Sequence, residues 1–199
     1  MATIGDRWAV LVVRELMFGP KRFAQLKSGL PGISPNVLSQ RLRELEEAHV
    51  VRRTVLGPPA NVPVYELTER GAGLEPVLIE LGRWGSALQN TSRNDLSVSA
   101  MMFSYKTVFD PSASRDGVWV ITADRETFTV TVSDGRIDVR YGAARHPDVT
   151  LDTDMTTLRA VSFGRETLDA AEAAGRLRVE GNRRLAARFG RMFPVPARV

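Results

Sequence analysis

Asn36, Gln40, Arg43 and Glu47 recur every three or four residues, and Ser39 stands at the edge of the same row. On a helix this spacing gathers them on one face, while Leu38, Leu42 and Leu45, at i, i+4 and i+7, gather on the other. The row carries a specific chemistry. An arginine can donate two parallel hydrogen bonds to the edge of guanine, and an asparagine or glutamine amide matches the edge of adenine. Asn36, Ser39, Gln40 and Arg43 are therefore candidates for reading bases in a major groove. Ser34 before Pro35 offers an N-cap and a first-turn proline, and the N–H groups behind it suit a phosphate. Arg41 falls nearer the leucine side, which suits a phosphate or a salt bridge rather than a base.

Further cations flank this row. Arg52 and Arg53 lie on the segment that follows it and are candidate phosphate contacts, while Asn61, beside a stiff proline-rich tip, can approach a minor groove. Lys21 and Arg22, upstream, are further phosphate candidates. A polar helix face alone is usually only solvated. The arrangement of the elements around it decides the matter.

Those elements read as helix, helix, helix, hairpin, helix. Residues 3–18 place Ile4, Trp8, Leu11 and Val12 on one stripe that stops at Gly19-Pro20. A short helix over residues 23–28 ends at Gly29 and the turn Pro31-Gly32. The third, capped by Ser34, runs to about Ala48. Strands over residues 50–56 and 62–67 follow, and Thr68 caps a long helix predicted to reach Leu88. This is a helix-turn-helix with a two-stranded wing, which is far rarer by chance than a polar helix face.

Residues Asn90 to Asp95 are polar and read as a linker between domains at 1–92 and 98–199. Beyond it, residues 118–123, 128–133, 137–141 and 149–153 alternate or cluster β-branched and aromatic residues at strand lengths. Asp134-Gly135 signals a tight turn between two of them. Helices over 155–162 and 167–174, a strand over 177–180 and a helix from about Arg183 to Phe193 complete an α+β domain.

Chemistry other than binding finds no support in the second half. His146 precedes Pro147 in a turn, and His49, in the first half, sits at a helix-to-strand junction and reads as structural in the same way. Asp148, Asp152 and Asp154 are spaced like ligands, yet strand alternation and helix capping explain them, and no EF-hand glycine pattern accompanies them. Phosphate loops and nucleophile elbows are missing. The reading is of a chain that is not an enzyme, with no catalytic residue, metal or cofactor.

The segments Ile4-Gly5-Asp6-Arg7-Trp8, Arg14-Glu15-Leu16, Gly32-Ile33-Ser34-Pro35-Asn36-Val37-Leu38-Ser39, Arg41-Leu42-Arg43-Glu44-Leu45-Glu46, Tyr65-Glu66-Leu67-Thr68 and Gly82-Arg83-Trp84-Gly85 resemble the HxlR-type winged-helix regulators, in order and at their spacing. The resemblance covers roughly residues 3–88 and implies a homodimer on an inverted repeat in double-stranded DNA, with terminal helices of the domain forming the dimer contact. Members usually carry more chain before the first helix, often with a cysteine. This sequence begins almost at the motif and holds no cysteine, which implies a shortened dimer element and no cysteine-based sensing.

In the second half, Asp148-Val149-Thr150-Leu151, Leu158 to Phe163-Gly164, and Ala171 through Gly175-Arg176-Leu177-Arg178-Val179-Glu180-Gly181-Asn182 to Phe189 resemble the sterol carrier protein-like fold, more weakly. That resemblance implies a five-stranded sheet with helices around a lipid-sized tunnel. Phe103, Trp119, Phe128, Tyr141, Leu158, Phe163, Phe189 and Phe193 are either the core of this domain or the lining of a cavity for a small apolar or lipid-like effector. A domain that only dimerises is the alternative.

Composition bounds these readings. Hydrophobic residues make up 43% and charged residues 25% of 199 residues, ordinary for a folded globular chain. No apolar run is long enough to cross a bilayer, and no signal peptide is read, so a cytoplasmic location is expected, with no membrane partner. The net charge of +4 is spread evenly, with 12 basic against 10 acidic residues up to position 95 and 15 against 13 after it. Contact with a polyanion must therefore come from a local arrangement of charge.

Overall fold

The structure, a computed structural model, describes residues 5–86 and 96–194. These divide into two compact units, one drawn from Met1–Gly82 and Asn90–Ala100, the other from Arg83–Gln89 and Met101–Val199. The expected linker at 90–95, together with Ile4 and Leu88, lies outside the described residues.

The first unit opens with α1 (Arg7–Leu16), whose N-terminus is capped by the Asp6 carboxylate, accepting from the Trp8 and Ala9 amides at 2.8 and 3.3 Å. Next come α2 (Phe23–Gly29) and α3 (Pro35–Glu47). Ser34 Oγ accepts from the Val37 amide at 3.2 Å, and Pro35 occupies the first turn, where its missing N–H costs nothing. Leu38, Leu42 and Leu45 are buried with Ala9, Val12, Val13, Leu16, Leu26 and Ile33. That apolar seam fixes which face of α3 turns outward.

Strands β1 (Val51–Leu56) and β2 (Val62–Leu67) pair antiparallel, with Arg52 opposite Glu66 and Arg53 opposite Tyr65. The chain turns from α3 into β1 at His49, whose φ of 55° is left-handed. The Val50 amide reaches back to the Leu45 carbonyl at 2.9 Å, closing the helix end as a Schellman cap does. The long helix expected after Thr68 is instead two pieces, α4 (Glu69–Ala72) and α5 (Glu75–Ser86). Thr68 does cap the first, accepting from the Gly71 amide at 3.1 Å. Pro76 explains the break, because within one continuous helix its ring would collide with the carbonyl of Ala72.

Helix α6 (Val98–Val108) starts in the first unit and runs on into the second. Sequence periodicity does not predict it. Val98, Ser99, Ala100, Met101, Met102, Phe103, Tyr105 and Thr107 are all buried, so no polar stripe marks a helical period.

In the second unit a five-stranded sheet has the order β5-β4-β3-β6-β7, from β3 (Gly117–Ala123), β4 (Glu126–Ser133), β5 (Arg136–Tyr141), β6 (Val149–Thr153) and β7 (Leu177–Gly181). Its pairs are antiparallel except β3 with β6. Alternation sorts the faces: Trp119, Ile121, Phe128, Val130, Val149 and Leu151 are buried, whereas Thr122, Thr127, Thr129 and Thr150 on the opposite face are partly exposed. The edge strands carry charges at alternate positions, with Arg140 to Asp138 at 2.6 Å on β5 and Arg178 to Glu180 at 2.5 Å on β7.

Asp134 and Gly135, at φ 51° and 68°, make the expected tight turn between β4 and β5. Asp124 and Arg125 make an equivalent left-handed turn that no glycine announces. Helices α7 (Met155–Ser162), α8 (Leu168–Ala173) and α9 (Arg183–Ala186) complete the unit. The helix expected to run to Phe193 stops at Ala186 and resumes as a 3-10 turn over Phe189–Met192. The tighter turn sends Phe189, Met192 and Phe193 all inward, and Gly190 passes so close to α7 that a Cβ there would lie 2.7 Å from the Val161 carbonyl oxygen. Among the described residues no helix is long and apolar enough to cross a membrane.

Candidate nucleic-acid interface

Helix α3 presents Asn36, Gln40, Arg43 and Glu47 as an exposed row, with Ser39 half-buried at its margin. Gln40 Nε2 donates to Glu44 Oε1 at 3.0 Å, a surface bond that an incoming base edge can replace. Arg43 is exposed and has no ion-pair partner among the described residues, so its guanidinium is free to meet an acceptor. Arg41 takes the salt-bridge alternative. It pairs with Glu44, and its Nε lies 3.4 Å from Asp6 Oδ1, which ties α3 to the cap of α1.

On the wing, Arg52 Nε donates to Glu66 Oε1 at 2.7 Å across the strand pair, while Arg53 is exposed. Asn61, exposed at φ 43°, follows the turn at the tip. Arg22 is exposed just before α2, its amide donating to the Gln25 side chain at 2.8 Å.

Lys21 differs from the expectation. Its ammonium is not turned to solvent but donates to Glu15 Oε2 and to Ser99 Oγ, each at 2.8 Å, with 13% of the side chain exposed. Sequence reasoning missed this cluster. Its one signal was an acidic residue, Glu15, on the buried side of an apolar run.

Of the aromatic and aliphatic residues singled out in the second unit, Phe103, Trp119, Phe128, Leu158, Phe189 and Phe193 are buried, and Phe163 is half-buried at the end of α7. Tyr105, not singled out, is central. Its ring stacks on Phe193 at 4.2 Å and meets Phe189 edge-on at 5.4 Å, and its hydroxyl shares a 2.7 Å hydrogen bond with Ser162. Burial pushes the Tyr105 phenol well above its ordinary pKa. Tyr141 departs from the expected interior lining: it is 60% exposed on edge strand β5, edge-on to Phe128 at 5.2 Å. Trp119 Nε1 is buried and has no hydrogen-bond partner among the described residues. A groove of about 510 Å³ lies elsewhere, over the β4–β5 hairpin, lined by Thr131, Ser133, Asp134, Arg136, Ile137 and Asp138. Asp148 and Asp154 are engaged structurally, the first accepting from the Val118 amide and the second capping α7.

Residues 3–93 match the family model for the HxlR-like helix-turn-helix, and residues 116–194 that of the SCP-2 sterol transfer family. The HTH-type transcriptional regulator YvaP of Bacillus subtilis is 40% identical over 84 residues, 42% of this chain and 77% of YvaP. The chain belongs to the HxlR-like helix-turn-helix family. As an HxlR-like protein it is a transcriptional regulator with a DNA-binding helix-turn-helix, followed by a sterol carrier-like domain. The regulator YodB of the same organism is 41% identical over 81 residues, 41% of this HxlR-like chain and 72% of YodB. The crystal structure of quinone-bound YodB aligns at a TM-score of 0.37 with 38% identity, over 42% of this chain and 88% of that one. The sec-alkylsulfatase Pisa1 from Pseudomonas sp. aligns at a TM-score of 0.48 with 16% identity, over 51% of this chain and 17% of that one.

Proposed function

We propose that the protein is a homodimeric, non-enzymatic regulator in the cytoplasm, binding an inverted-repeat operator through a DNA-binding domain at 1–92. In this reading Asn36, Ser39, Gln40 and Arg43 meet bases in the major groove. Ser34, Arg22, Arg52 and Arg53 hold phosphates, and Asn61 approaches the minor groove. The observation that carries it is the outer row of α3, polar and uncovered, behind a buried leucine seam. Lys21 has no part in the contact, because its charge is used internally.

Two variants separate reading from holding. Arg43→Ala should cost about 1–3 kcal/mol of operator affinity and relax specificity at one base pair. Arg53→Ala should weaken all sequences alike and flatten the dependence of affinity on salt by roughly one counterion. Anisotropy titrations of an operator selected from genomic DNA, against the same site with one pair changed, decide it. Equal loss on both duplexes for Arg43→Ala removes that residue from base reading.

Support for a second copy comes from α5. Val77, Leu81 and Trp84 follow one another at i, i+4 and i+7, and are 61%, 46% and 66% exposed. An uncovered apolar stripe of this spacing suits a partner helix. Sedimentation that returns a single copy at micromolar concentration removes the dimer from the proposal.

For the domain at 98–199 we propose a small apolar or lipid-like effector. The match to a sterol transfer family supports it, as does the buried Trp119 N–H, which has no partner among the described residues and which a carbonyl or hydroxyl of an occupant would satisfy. A second reading, in which this domain only holds copies together, is favoured by the ring-on-ring packing of Tyr105, Phe189 and Phe193. Native mass spectrometry of the purified chain distinguishes them by the presence or absence of a co-purifying small molecule.

A further inference from the structure

Tyr65, on β2, turns both of its backbone groups away from β1. Its amide donates to the Lys21 carbonyl and its carbonyl accepts from the Lys21 amide, each at 2.9 Å. The two backbone groups of one antiparallel residue point the same way, so Tyr65 makes no ladder bond to Arg53, which stands opposite it on β1. Pairs of this kind are the closely spaced ones, with Cα atoms about 4.5 Å apart and their side chains neighbours on one face. Arg53 therefore stands beside a residue whose backbone is held from the far side by Lys21.

Lys21 is held in its turn by its side chain. The ammonium donates to Glu15 Oε2 and to Ser99 Oγ, each at 2.8 Å. The Glu15 carboxylate has no solvent access, and it also takes an Arg14 guanidinium nitrogen at 3.1 Å and the Ser97 hydroxyl at 2.6 Å. On its other side the end of α2 leaves no slack, since a Cβ on Gly29 would lie 2.7 Å from Glu15 Oε2. All of these residues belong to the first unit. An exposed ion pair samples many geometries, whereas one enclosed and hydrogen-bonded at both ends keeps to one. The chain of fixed contacts thus runs from Glu15 to Lys21, from Lys21 to Tyr65, and from Tyr65 to the flank of Arg53.

We infer that Glu15 and Lys21 are positioning residues for Arg53, setting where the wing presents its guanidinium to the DNA backbone. Neither touches DNA. The inference rests on the reading of Arg53 as a phosphate contact and adds to it two interior residues that govern the strength of that contact. An arginine on a wing held at one height loses less freedom on meeting a phosphate than one on a wing that rocks. Loosening the pair should therefore act on the phosphate contact and leave the reading of bases by α3 as it was.

Operator titrations of the full chain over a range of salt concentrations test it, with Glu15→Gln as the disturbance. Should that variant fail to fold, the neutral pair Glu15→Gln/Lys21→Met takes its place, since it leaves no buried charge unpaired. Affinities are referred to the folded, binding-competent fraction, counted by stoichiometric titration. The variant should bind about fivefold more weakly, and its salt dependence should fall by roughly one counterion, as for Arg53→Ala. Added to Arg53→Ala it should cost nothing further, whereas with Arg43→Ala the two losses should multiply and the preference for the matched base pair should stay as Arg43→Ala alone leaves it. A weaker variant with the native salt dependence would mark plain destabilisation and overturns the inference. So does native affinity, or a loss that multiplies with that of Arg53→Ala. A native chain without salt-dependent affinity for any duplex, or Arg53→Ala with the native salt dependence, sinks the underlying DNA or phosphate reading instead, and the positioning role goes with it.

Discussion

Gly71→Ala should lower the stability of the DNA-binding unit by about 3 kcal/mol, read as an earlier urea transition, and should reduce operator binding in step with the unfolded fraction. A Cβ at this position would stand 2.1 Å from the Val50 carbonyl oxygen and 3.1 Å from its carbon. These are backbone atoms and cannot swing aside as a side chain would. The same oxygen accepts from the Thr68 amide at 3.0 Å, so pushing it away also loosens the junction between wing and α4. Gly73→Ala is the control. Its Cβ would meet nothing nearer than the Arg70 oxygen at 3.4 Å, and its φ of −61° suits alanine. Matching behaviour of the two variants would show that the close approach is relieved at little cost.

Glu15→Ala should have an effect of similar size, about 3 kcal/mol, because it leaves the largely buried Lys21 ammonium with only a hydroxyl for company. The expected signature is non-additive. Replacing both partners, as Glu15→Ala with Lys21→Met, should cost less than Glu15→Ala alone, since no uncompensated charge remains. The loss should change little between low and high salt, because a buried pair is weakly screened. A double variant as unstable as the sum of its parts would mean that the two residues stabilise the unit through packing alone.

The helix-turn-helix and its wing were legible because each rests on local chemistry. Ser34-Pro35 starts α3, the leucines at 38, 42 and 45 orient it, and the proline-rich stretch after Leu56 closes a hairpin whose strands begin and end within a residue of expectation. Asp134-Gly135 was legible for the same reason. What stayed hidden depends on partners far away in sequence. Lys21 looks like any surface cation until Ser99, 78 residues on, is brought beside it. Helix α6 has no periodicity to show, since nearly every side of it is covered. The Asp124-Arg125 turn puts a long side chain in a left-handed conformation usually left to glycine or asparagine, so no residue type betrayed it. Among the aromatics, type alone told that they would be mostly interior but not which lay at the rim, as the exposed edge-strand residue Tyr141 shows.

The borders of the five-stranded sheet bear on how copies of this molecule can meet. Both outermost strands, β5 and β7, set charged side chains at every second position: Arg136, Asp138 and Arg140 on one, Arg178 and Glu180 on the other. A strand from a neighbouring molecule that docked edge to edge would have to strip water from these ions to reach the free backbone groups. The sheet is thus capped against open-ended polymerisation, and lateral growth into fibres is disfavoured even in a crowded cell.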